Sequence, residues 1–102
     1  MTYEIDDAKK RASQYPTTFE RPCDADIEAK LRPSTYAKML FQCTEGTEKH
    51  AERMWVRVLR KEGHRWVGEL ANRPITIPPE LLSMGDTVYF EARHVADIVE
   101  EE

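Results

Sequence analysis

The residues best equipped for chemistry are His50, His64 and His94, together with Cys23 and Cys43. A metal site needs three or four such ligands converging at a suitable spacing, and these form no CxxC, HxH or HExxH pattern. The expectation is no metal and no cofactor, with each histidine a surface or loop residue. Cys43 and His50 lie close in sequence, as a thiol nucleophile and its base would. Cys43 nevertheless shares the apolar alternation of its segment, which predicts a packed thiol. The pairs Asp6/Asp7 and Asp24/Asp26 stand where helices are expected to start and read as helix-start charges rather than a general acid and base. A phosphate-binding loop needs clustered glycines, whereas Gly46, Gly63, Gly68 and Gly85 are scattered and suit turns and bulges.

One local feature stands above this background. Residues 49–65 hold Lys49, Arg53, Arg57, Arg60, Lys61 and Arg65 against only Glu52 and Glu62, with Trp55 among them. An arginine beside a tryptophan on one strand face can stack on bases or receive an acidic partner. The plainer alternative, towards which the sequence leans, is a solvated face whose tryptophan is a lid, filling a second small cluster with an N-terminal helix.

These residues must be positioned by a small fold. A chain of 102 residues predicts one domain with a modest core. An apolar fraction of 40% is too high for general disorder, and a net charge of −4 lacks the global basic field usual in nucleic-acid binders. Two cysteines without CxxC spacing are too few for a disulfide framework, so both are expected reduced and packed. The acidic start Glu4-Ile5-Asp6-Asp7 is unlike a signal peptide, and no apolar run is long enough to span a bilayer. The expected location is the cytoplasm.

Along the chain, Ile5, Ala8, Ala12 and Tyr15 fall near one stripe and predict a helix over 3–15, stopped by Pro16. Residues 16–22 should be extended, with Phe19 as an anchor. A second helix is expected over 24–31, with Asp24 as N-cap and Ile27 and Leu31 as an i, i+4 apolar pair. From Tyr36 the period changes to two: Ala37, Met39, Phe41 and Cys43 share one face of a first strand over 36–43. Residues 44–49 read as a polar turn or loop. A β-hairpin over 53–72 follows, with Met54, Val56 and Val58 pointing to the core and Arg53, Trp55 and Arg57 away from it. Asn72-Arg73-Pro74 signals a turn, Ile75-Thr76-Ile77 a short extended piece, and Glu80-Leu81-Leu82 one helical turn. Gly85-Asp86 opens a strand over 87–91, His94–Val99 docks on the core, and 100–102 form a frayed acidic end.

From the hairpin onward the chain resembles the YegJ-like family of small bacterial domains of unknown function. The matching elements are Glu52-Arg53-Met54-Trp55-Val56 with Val58, Trp66-Val67-Gly68-Glu69-Leu70, and the Asn72-x-Pro74 pair. They continue with Leu82-x-Met84-Gly85-Asp86-Thr87-Val88-x-Phe90 and His94-Val95-Ala96-Asp97, so that the likeness covers about 52–97. Ile98 stands where the family tends to place an aromatic, and the segment up to Tyr36 carries no match. The resemblance implies a β-rich fold with small helical additions and transfers no activity or cofactor.

The sequence thus predicts an α+β fold, a small antiparallel sheet or partly open β-barrel of four to five strands with one or two N-terminal helices. It forms one domain over 1–102, in which 1–35 pack on a β-rich core of 36–99. The expected function is a non-enzymatic binding or adaptor module that meets an unidentified protein partner through the Trp55/Arg57 face, with Arg53, Asn72 and Arg73, or through a sheet edge. A nucleic-acid-binding barrel using the same patch is the alternative, and a small hydrolase or metal-dependent enzyme a third.

Overall fold

The computed structural model describes residues 2–15 and 21–100. Phe19, the stop at Pro16 and the tail at 101–102 lie outside them. Six strands form one antiparallel sheet: β1 (Tyr3–Ile5), β2 (Thr35–Glu45), β3 (Glu48–Glu62), β4 (Arg65–Leu70), β5 (Thr87–Phe90) and β6 (Asp97–Glu100). The sheet is five positions wide, because β1 and β6 share one edge of β2, at Phe41–Cys43 and Thr35–Lys38 respectively. Two helices, α1 (Ala8–Gln14) and α2 (Asp24–Lys30), complete an α+β half-barrel.

Strict alternation builds the sheet. On β2, Ala37, Met39, Phe41 and Cys43 are buried; on β3, so are Met54, Val56 and Val58, directly across the ladder or one pair along. This inner face is closed by Ile27 and Leu31 from α2 and by Ile77, Leu82 and Val95 from the later loops, all in one apolar cluster. Fully burying a side chain such as Ile27 contributes about 1.5–3 kcal/mol. Arg21 fastens the start of α2 to this assembly. Its nearly buried guanidinium donates to the carbonyls of Ala92 (2.7 Å) and Val95 (2.9 Å) and to Asp24 (2.8 Å), so the charge is fully partnered.

The first 15 residues depart from the expected helix. Tyr3 and Ile5 follow a strand period, pairing with Cys43 and Phe41 and packing against the core, with the Tyr3 and Phe41 ring centroids 5.8 Å apart. The backbone groups of the β2 edge would otherwise lack partners, and satisfying them outweighs the weak helical stripe. The helix begins only after Asp7, which caps it by accepting the Lys10 N–H at 2.9 Å.

Five smaller expectations also change. Cys23, not Asp24, is the N-cap of α2, and Cys23 is exposed rather than packed. The loop at 44–49 shrinks to Gly46-Thr47, so that Glu45 faces Glu48 and both strands run longer. Residues 75–77 form a bend, not an extended piece. Glu100 is not frayed: it ends β6 opposite Thr35 and pairs with Arg32 at 3.0 Å. No helix among the described residues is long and apolar enough to cross a membrane.

Candidate functional site

Because Met54, Val56 and Val58 point inward, Arg53, Trp55 and Arg57 project from the opposite, outer face of β3. The ladder places Lys38 opposite Trp55 and Tyr36 opposite Arg57, while β6 sets Val99 beside Tyr36. On the other side, the β3–β4 pairing closes just here. The Ala71 N–H donates to the Trp55 carbonyl at 2.9 Å, and the Trp55 N–H donates to the side-chain oxygen of Asn72. The Asn72 amide stands in for the next strand carbonyl and ends β4, which explains a turn residue at this position.

Beyond Asn72 the chain follows β3 backwards and is clasped by Glu52. Its carboxylate accepts the N–H groups of Ile75 (2.9 Å), Thr76 (3.0 Å) and Ile77 (3.4 Å), and the Thr76 hydroxyl at 3.2 Å. Partial burial works against the charge, but the N–H groups of Thr76, Ile75 and Ile77 prevail and hold the carboxyl below its ordinary range. The bend at 75–77 is thus the backbone wrapping an anion.

The result is an open depression of about 260 Å³ lined by Tyr36, Trp55, Ala71, Asn72 and Val99. It falls below the 300–1,000 Å³ of typical small-molecule sites, and its size suits one or two side chains of a partner. Trp55 is half-buried and outside the core cluster, and Val99 is 49% exposed. No helical residue among those described lines the depression. The Lys38 ammonium lies 5.5 Å from the Trp55 ring centroid, a cation–π contact.

Of the sequence-predicted residues, Trp55 and Asn72 meet in this depression. Arg57 stands on the same face, loosely paired with Glu69 at 3.8 Å. Arg53 projects two residues along the same side, and Arg73 follows Asn72 in the loop; both are exposed. Tyr36, Lys38, Ala71 and Val99 were not foreseen. The outward period of Tyr36 and Lys38 on β2 was a usable signal, but the register that brings Val99 beside them was not.

A second hollow, of about 430 Å³, lies where β1 meets the β2–β3 hairpin and is lined by polar residues including Glu4, Lys49 and His50. Cys43 faces His50 across the ladder, yet no hydrogen bond joins thiol and imidazole among the described residues. His50 is a half-buried strand residue, and its Nε2 sits 3.8 Å from Glu45 and 3.9 Å from Glu48. His94 is likewise no surface residue: it is half-buried, and its Nδ1 accepts the Glu91 N–H at 2.9 Å. Only His64, in the β3–β4 turn, is exposed as expected. Among the described residues no three His, Cys, Asp or Glu side chains are grouped to hold a metal ion.

A family model described as "Uncharacterized protein conserved in bacteria (DUF2314)" matches residues 2–100. The chain belongs to this family. The match runs over the N-terminal segment as well, where the motifs alone showed no likeness. No curated protein and no solved structure matches the chain.

The motif residues that announced the family mostly serve the scaffold. Glu52 clasps the loop, Asn72 ends β4, and Gly85 takes φ +94, a left-handed turn conformation. Gly68 sits opposite Val58 beside a β-bulge, where a Cβ would lie 2.6 Å from the Arg57 carbonyl oxygen and closer still to Val56. Trp66 and Phe90 belong to the core cluster. Trp55 is the aromatic of these motifs whose ring the core does not use.

Proposed function

We propose that this domain is a non-enzymatic protein-binding or adaptor module whose contact surface is the outer face around Trp55. The observation that carries this reading is the apolar depression itself: a motif tryptophan, Tyr36, Ala71 and a half-exposed Val99 gathered on the open side of a rigid sheet. Trp and Tyr gathered in a small pocket with arginine nearby match the residue types enriched at binding hot spots. A cysteine content of two, Cys23 exposed at the N-cap of α2 and Cys43 buried in β2, is in keeping with a cytoplasmic location.

The test is a photo-crosslinking amino acid placed at Val99 in bacterial cells that carry the native protein. A specific protein adduct from position 99 in β6, and none from the exposed Met84 in the loop before β5, is the expected result. Equal labelling from both positions, or none from either, would remove the Trp55 face as the contact surface.

A further inference from the structure

The chain carries an overall charge of −4, yet the outer face beside the depression carries Lys38, Arg53 and Arg57, with Arg73 next to Asn72 in the loop. The acids on this face are Glu69, paired with Arg57, and Asp97, opposite Lys38 on β6. Seven of the nine arginines have a carboxylate ion-pair partner. The two without one among the described residues are Arg53 and Arg73, both just beyond the Trp55/Asn72 junction at the end where the loop runs back along β3. The nearest acid in sequence, Glu52, cannot serve them readily, because its carboxylate is already filled by backbone N–H groups. Lys38 has no carboxylate partner among the described residues either and rests on the Trp55 ring.

Resting on the protein-binding reading above, we infer that the site takes an acidic segment of a partner protein. One apolar side chain of that segment fills the depression, while flanking carboxylates meet Arg53 and Arg73. Arginine suits this task because its planar fork binds a carboxylate through two parallel bonds. In a molecule that pairs its other arginines internally, two without a carboxylate partner among the described residues, close to an apolar hollow, make a complementary surface for a negatively charged chain. A nucleic acid also offers anions, but the overall charge of −4 opposes the approach of a polyanion.

The experiment is selection of a random peptide library, about a dozen residues in length, against the intact protein, the selected peptides then being titrated by fluorescence anisotropy. Enriched sequences should place at least two Asp or Glu around one apolar residue. Their affinity should fall about tenfold or more with Arg53→Ala/Arg73→Ala, and drop as salt rises from about 50 to about 300 mM. The charge reversal Arg53→Glu/Arg73→Glu should shift the enriched sequences towards Lys and Arg. Because both arginines are exposed, unchanged melting curves confirm that the variants fold. Enriched peptides that are lost with Val99→Lys but show no acidic bias would overturn the acidic partner and leave the binding face standing. Enrichment indifferent to Val99→Lys and to both arginine variants would overturn both. Oligo-dT bound with the same dependence on Arg53 and Arg73, and more tightly than any peptide, would replace the peptide with a nucleic acid.

Discussion

The two faces of β3 carry the same local sequence and opposite fates. Met54, Val56 and Val58 are sealed beneath α2 and the later loops, while Arg53, Trp55 and Arg57 alternate with them onto a face that the described helices leave open. A strand has two sides at a period of two, so a small domain can assign stability to one side and contact to the other without separate elements. Substitutions on the two sides should therefore differ in kind: inner ones change folding, outer ones change binding.

The largest expected contrast is between sequence neighbours. Met54→Ala leaves a cavity in the core and should cost about 2–5 kcal/mol in urea unfolding, whereas Arg53→Ala should stay within about 0.5 kcal/mol. Comparable costs at the two positions would break the division of the strand. Gly68→Ala comes next. An added methyl has no room against the Arg57 backbone, and the strands must part, at about 1–3 kcal/mol. Because β4 lies against β3 at this point, a neutral Gly68→Ala would mean that the register beside the bulge is looser than described.

Glu52→Gln tests whether the loop is held by charge. Its carboxylate is partly exposed, so the loss is set low, at about 1 kcal/mol at neutral pH. Its folded pKa is depressed below the ordinary 4.5, which means the stabilisation is complete above that value and is lost as pH falls through the folded pKa. Asp7 and Asp24 are depressed as well. For Asp7, burial is outweighed by the Lys10 N–H and Arg93; for Asp24, the Arg21 bond is the largest cause. Melting temperature should therefore drop as pH is lowered from 5 towards 3, and less steeply in Glu52→Gln; identical slopes would show that the clasp is not ionic.

The smallest effect belongs to His94. Burial, with Arg93 beside it, holds its pKa below 6.5, and its Nδ1 accepts the Glu91 N–H only while unprotonated. Its contribution is present above pH 6.5 and is lost as pH falls through the folded value. A shallow decline in stability below pH 6.5, absent in His94→Gln, is the expected titration.

Much of this was legible in the residues. The alternation at Ala37–Cys43 and at Met54–Val58 marked both long strands and their buried sides, and Gly85-Asp86 marked the start of the edge strand β5. Local pattern failed where distant partners decided the outcome. Tyr3-Glu4-Ile5 is too short to show a period of its own, and it becomes a strand only because the edge of β2 is there to receive it. The bend at 75–77 reads as extended from its β-branched residues, and only the Glu52 carboxylate, more than twenty positions earlier, turns it. Arg53, Trp55 and Arg57 were visible as a basic-aromatic group. That Tyr36 and Val99 complete the hollow depends on the pairing of β6 with β2, which no local signal encodes.

The most direct measurement is amide chemical-shift mapping of the labelled protein on titration with an acidic peptide from the selected library. If the outer face is the contact surface, shifts concentrate at Tyr36, Lys38, Arg53, Trp55, Asn72 and Val99, and the indole N–H of Trp55 moves while that of Trp66 stays. Shifts centred on the Cys43/His50 hollow or along the β5 edge, with the Trp55 indole unmoved, would contradict it.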